Sequence, residues 1–180
     1  MKLLLTHILP GLLLAPLLLI AQNRDEDTLA WSSLQKLTWA DYKASPNPES
    51  DAAASTTTFL SIQYHITGNN LEFKIQSKFS KTDSWGLHKT DYILSHEQGH
   101  FDIAEIFARK LYQKMSEYTF NRKTFQNDLK KIYEEITGEK EEMQNEYDNE
   151  TRHSINRTKQ AEWLKKIQWM LEDYEDYAGY

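Results

Sequence analysis

The chain has 180 residues, a formal net charge of -6 and no cysteine. Its length suits one domain with a substantial hydrophobic core. Disulfide bridges and thiolate metal sites are excluded, so any zinc ion has to be held by His, Asp or Glu. The negative charge and the lack of a basic run argue against nucleic-acid binding and against attraction to an anionic membrane surface.

The first 21 residues predict a secretory signal peptide. Lys2 is a minimal basic start, Leu3–Ile20 is dominated by leucine, and the small Ala21 precedes a polar run. We expect cleavage near Ala21, which leaves residues 22–180 as a single secreted or periplasmic domain with no stable membrane insertion. An uncleaved anchor is the alternative, but two prolines within the apolar run disfavour a regular spanning helix.

The first half of the mature chain predicts β-structure. Leu34–Tyr42 suggests a short strand followed by a turn. Apolar and polar residues then alternate over Leu60–Thr67 and Leu71–Phe79, on either side of Gly68-Asn69-Asn70. Two such runs around a Gly-Asn turn predict a β-hairpin with one buried face.

Three long helices are predicted in the rest of the chain. The first begins after a capping Thr90, the second near Phe125 and the third near Ile155. Gly138 is expected to interrupt or bend the second helix, and the polar stretch Tyr147–Ser154 is expected to separate it from the third. The predicted fold is therefore α+β, with a small antiparallel sheet packed against three long helices.

An H-E-x-x-H sequence at residues 96–100 lies within the first of these helices. Residues four apart share one helix face, so His96 and His100 can hold one zinc ion through their ring nitrogens. Glu97 can take a proton from a zinc-bound water, as in H-E-x-x-H zinc hydrolases. Gly99 costs about 1 kcal/mol relative to alanine inside a helix. Close approach of a substrate or of another segment would explain it, although a well-packed helix can also tolerate a glycine.

A catalytic zinc ion needs a third protein ligand and a fourth position for water. His153 is the only histidine after His100, and Asp148 and Glu150 are the carboxylate alternatives. A residue that stabilises the oxyanion is not identified by the pattern. The candidates are Tyr147, Arg152 and His88.

Several motifs resemble those of the bacterial predicted secreted zinc-dependent proteases of the DUF922 family. They comprise Leu37–Tyr42, Ser84-Trp85, His96–Glu105, and Tyr147–His153 with the following Gln160 and Trp163. The resemblance implies secretion and zinc, and it favours His153 over Glu150 and Asp148 as the third ligand. The chain departs from its relatives at Ser154, where they commonly carry glycine.

Asp102 and Glu105 also fall within the family motif. Neither shares the helix face of His96 and His100. They are hypothesised to hydrogen-bond neighbouring backbone or to orient the zinc ligands. Ordinary salt bridges are the equally weighted alternative.

The sequence thus predicts a secreted zinc metallohydrolase, in the first instance a peptidase acting on a protein or peptide substrate. In this hypothesis zinc activates a water molecule and Glu97 is the general base, which later returns the proton to the leaving nitrogen. One alternative is a different zinc hydrolase, such as an amidase acting on cell-wall peptides or an acetyl-group remover. Another is a non-catalytic binding module that a metal ion stabilises.

Overall fold

The structure, a computed structural model, describes residues 27–50 and 52–179. The predicted signal peptide at residues 1–21 lies outside these ranges. No helix within them combines the length and the apolar character that crossing a membrane requires.

A three-stranded antiparallel sheet forms from β1 (Thr28–Ala30), β3 (Thr58–Thr67) and β4 (Asn70–Ser80), in the order β1-β4-β3. The predicted hairpin is confirmed: β3 and β4 pair with Thr67 opposite Asn70. Gly68 in the connecting turn has a φ of 61°, a value that glycine adopts without steric cost. A second, two-stranded antiparallel sheet joins β2 (Ala54–Ser55) to β5 (Trp85–Gly86).

The prediction of a strand within Leu34–Tyr42 is wrong. This segment contains a short 3-10 helix at Trp39–Asp41, which begins after Thr38. The Asp41 carboxylate accepts hydrogen bonds from the Thr38 backbone N–H at 2.8 Å and the Thr38 hydroxyl at 2.7 Å. This local cap satisfies the backbone without a strand partner. Leu37 and Tyr42 of this segment are buried nonetheless, in a small cluster with Phe79 and Phe101.

Three helices follow: α1 (Asp91–Glu117), α2 (Phe125–Thr151) and α3 (Arg157–Asp173). The Thr90 hydroxyl caps α1 by accepting from the Ile93 backbone N–H at 3.2 Å. The expected interruption at Gly138 is wrong, because α2 continues unbroken through it to Thr151. Most of the polar stretch that was expected to separate the helices is therefore the last turn of α2. Because α2 extends this far, side chains near its C-terminal end lie against α1.

The central element of the fold is α1, which contacts the β3–β4 hairpin as well as α2 and α3. Nearly all of its residues from His96 to Leu111 are buried. The main core cluster combines side chains from the hairpin and all three helices, among them Leu60, Ile75, Ile103, Ile106, Leu111, Ile136, Trp163 and Ile167. This packing fixes both the axial position and the rotation of α1, and so determines where its histidines point.

Asp102 and the Glu105–Arg109 ion pair connect α1 to the two ends of the described chain. The Asp102 carboxylate accepts from Trp31 Nε1 at 2.7 Å. Glu105 forms a buried ion pair with Arg109 Nε at 2.9 Å, and Arg109 also donates to the Leu171 carbonyl at 2.6 Å. The salt-bridge interpretation therefore applies to Glu105, and also to Asp102, whose carboxylate lies 3.5 Å from Lys36 Nζ. Asp102 ties the segment after β1 to the helix.

Candidate metal centre

Three potential metal ligands from two helices meet at one point. Asp148, on α2, places its Oδ1 atom 3.1 Å from His96 Nε2 and 3.1 Å from His100 Nε2. The two Nε2 atoms are 3.3 Å apart. These side chains form a group whose donor atoms all lie within 4.8 Å of one another. The two histidines are buried and Asp148 is partly exposed.

The size of this triangle fits a tetrahedral zinc site. Ligand atoms about 2.0–2.1 Å from a zinc ion, at tetrahedral angles, are about 3.3 Å from one another. The observed separations of 3.1, 3.1 and 3.3 Å agree with that value. Three nitrogen and oxygen acceptors so close together repel one another unless a cation or shared protons lie between them. The residues present therefore fit a bound divalent metal.

The two histidines of the group differ in their tendency to be protonated. Burial lowers the pKa of His96, which favours the neutral ring that a metal needs. Burial also opposes protonation of His100, but the hydrogen bond and charge of Asp148 outweigh it and raise that pKa. Burial opposes ionisation of Asp148, yet its hydrogen bonds with His100 and His96 hold its pKa far below the usual range. Asp148 is thus an anion that attracts a cation to the two rings.

Gln144 lies one turn before Asp148 on α2 and contacts His100 twice. Its side-chain Nε2 donates to the His100 backbone carbonyl at 2.9 Å, and its Oε1 hydrogen-bonds His100 Nδ1. The sequence analysis missed this residue. Its spacing of four from Asp148 would have indicated it, had α2 been predicted to continue that far.

Tyr147 contacts the other histidine, His96, in two ways. Its ring stacks on His96 with centroids 4.5 Å apart, and its hydroxyl donates to the His96 carbonyl at 3.2 Å. Gly99 makes this possible, since a Cβ atom there would lie 2.6 Å from the Tyr147 hydroxyl oxygen. The glycine in the H-E-x-x-H sequence is therefore explained by the close approach of α2.

Replacing Gly99 by alanine is expected to destabilise the protein and weaken metal binding. The new methyl group would push against a completely buried tyrosine, at a cost of about 1–3 kcal/mol, against about 1 kcal/mol gained in helix propensity. Gly138→Ala is the matched control, because nothing lies within 4 Å of a Cβ atom there. Urea unfolding should show a lower free energy of unfolding for Gly99→Ala and a higher one for Gly138→Ala. Equal gains would contradict this account of Gly99.

Glu97 lines a cavity of about 560 Å³ beside the three ligands. Small side chains from residues 52–58, around β2, also line this cavity. Two buried atoms of the H-E-x-x-H sequence, His96 Nδ1 and Glu97 Oε2, lack a hydrogen-bond partner in the described part of the chain. A buried carboxylate oxygen is costly to leave unpaired, so Glu97 is placed to receive a proton donor from the cavity.

His153 lies beside the group of three rather than within it. Its Nδ1 atom is 3.3 Å from Asp148 Oδ1, and the ring is largely exposed at the edge of the same cavity. Arg152, His153 and Ser154 all have a positive φ, of 52°, 50° and 74°. Glycine is favoured in that region, which gives the departure at Ser154 a structural meaning. The role of His153 as a zinc ligand stays a prediction.

The remaining candidates face other parts of the molecule. The Glu150 carboxylate accepts from Trp163 Nε1 at 3.0 Å. Among the residues considered for the oxyanion, Tyr147 is fully buried with its hydroxyl bound to backbone. Arg152 and His88 are exposed and are not among the residues that line the cavity.

Comparison with known protein families matches residues 22–154 to the family described as "Bacterial protein of unknown function (DUF922)". The match covers well over half of the chain. The protein belongs to the DUF922 family. The matched region contains α1, α2 and every residue of the candidate metal centre, while α3 lies beyond it. Searches of curated proteins and of solved structures find no match to this DUF922 protein.

Proposed function

We propose that this DUF922 protein is a secreted zinc-dependent hydrolase, and specifically a peptidase. The observation that carries the proposal is the arrangement of His96, His100 and Asp148 in a triangle of zinc-site dimensions beside the cavity-lining Glu97. His96, His100 and Asp148 would hold the metal and leave the fourth position for water, and His153, 3.3 Å from Asp148, is the alternative third ligand.

When bound, zinc would supply a Lewis acid that lowers the pKa of water and polarises a substrate carbonyl. Glu97 would accept the proton of the attacking water and return it to the leaving nitrogen. Its buried, unpaired Oε2 supports this role. The cavity gives a peptide access to the same carboxylate, which favours a catalytic site over a purely structural metal site.

Removing the metal is the first test of this proposal. The purified protein is expected to carry a single zinc ion, to cleave a mixed peptide library and to lose that activity when a chelator strips the metal. Adding zinc back should restore cleavage. Magnesium should not, because it prefers an octahedral shell of oxygen ligands.

The same preparations discriminate the alternatives. Cleavage of cell-wall peptides alone would replace the peptidase assignment by an amidase. Tight zinc binding without hydrolysis of peptides, cell-wall peptides or acetylated substrates would favour a metal-stabilised binding module. A protein that purifies without metal and fails to bind zinc would contradict the proposal altogether.

A further inference from the structure

We infer that Gln144 is a positioning residue that fixes the tautomer of His100 and directs His100 Nε2 at the metal. The inference rests on the proposed metal site and adds a residue that the ligand pattern alone does not identify. The argument depends on the two contacts between the Gln144 amide and His100.

The first contact fixes which way the amide points. A backbone carbonyl oxygen can only accept hydrogen bonds, so the group of Gln144 that faces the His100 carbonyl must be its NH₂ group. The amide oxygen then necessarily faces His100 Nδ1. Rotating the amide by 180° would instead place two acceptor oxygens against each other at the carbonyl.

The second contact then fixes the proton on the imidazole ring. An amide oxygen has no hydrogen to donate, so the ring nitrogen opposite it has to carry one. His100 is therefore protonated at Nδ1, and in its neutral form Nε2 has a free lone pair. That lone pair points to where Asp148 Oδ1 and His96 Nε2 converge, each within 3.3 Å.

The two histidines are consequently held in different ways. Nδ1 of His96 is buried without a hydrogen-bond partner among the described residues, and its ring is oriented by stacking on Tyr147. Only His100 has its tautomer set by a side-chain amide. Gln144 and Asp148 are four residues apart on one face of α2. This helix therefore supplies both one metal ligand, Asp148, and the side chain that orients another ligand, His100.

Zinc affinity in variants of the full protein tests this assignment. Gln144→Leu keeps the approximate volume but removes both hydrogen bonds, and is expected to weaken zinc binding by about 10–100-fold. Gln144→Glu keeps an acceptor for Nδ1–H but places a carboxylate oxygen against the His100 carbonyl, so it should recover only part of that loss. Asn145→Leu is the matched control, since Asn145 is exposed and lines the same cavity. Its dissociation constant for zinc should stay close to that of the native protein.

A spectroscopic measurement covers the case in which Gln144→Leu does not fold. Long-range ¹⁵N–¹H spectra of the zinc-loaded native protein should show His100 protonated at Nδ1 and metal-bound at Nε2. Coordination through Nδ1 would overturn the inference, as would native zinc affinity in a folded Gln144→Leu protein. Native protein that binds no zinc would instead overturn the proposed function, so the two failures are distinguishable.

Discussion

Glu97→Gln is expected to leave zinc bound while hydrolysis falls by about 10²–10⁴-fold. Glutamine has almost the same shape but cannot accept a proton at neutral pH. Glu97 is not one of the three residues whose donor atoms converge, so its replacement should not disturb the metal. Peptide cleavage and zinc content are measured on the same preparation.

The control for Glu97→Gln is the same substitution at Glu141, an exposed residue of the same cavity whose carboxylate pairs with Lys140. It removes one negative charge from the cavity without removing the proposed base. Zinc-loaded Glu97→Gln protein that cleaves as fast as the native protein would eliminate Glu97 as the general base.

Asp148→Asn is expected to weaken zinc binding by at least about 100-fold, which is more than the loss expected for Gln144→Leu. The change preserves shape but removes the anionic oxygen that lies within 3.1 Å of both Nε2 atoms. Glu150→Gln is the control, because Glu150 contacts Trp163 and Lys159 instead. Zinc dissociation constants are obtained by competition with a chromophoric chelator.

His153→Ala belongs in the same series, since it tests the ligand that the sequence favoured. A loss of zinc affinity as large as that of Asp148→Asn would show that His153 coordinates the metal as Asp148 does. A loss of only a few-fold would leave it at the edge of the site. Unchanged zinc affinity in folded Asp148→Asn protein would contradict the triangle of ligands described above.

The elements that could be predicted from sequence are those with strong local periodicity. The β3–β4 hairpin has two alternating runs and a Gly-Asn turn, and α1 has a capping threonine and a long stretch without proline. The pairing of His96 with His100 follows from helix geometry alone. Their positions relative to each other therefore needed no tertiary information.

The second half of the site depends on packing between distant segments. Residues 147–151 look like a polar break, yet they form the last turn of α2 because that helix packs against α1. This packing brings Asp148 to the histidines, buries Tyr147 and aligns Gln144. The sequence favoured His153 because it is the only histidine after His100 and because of the family resemblance. Neither observation carried information on which side chain the α2 helix directs inward.

The separation of the ligands along the chain has a consequence for biosynthesis. His96 and Asp148 are 52 residues apart, and Asp148 lies near the end of a long helix that has to dock before its carboxylate reaches the rings. A ribosome that has just completed α1 has made both imidazoles but none of the groups on α2 that hold them. Binding of a metal ion by all three groups would therefore require that α2 has been synthesised and has docked.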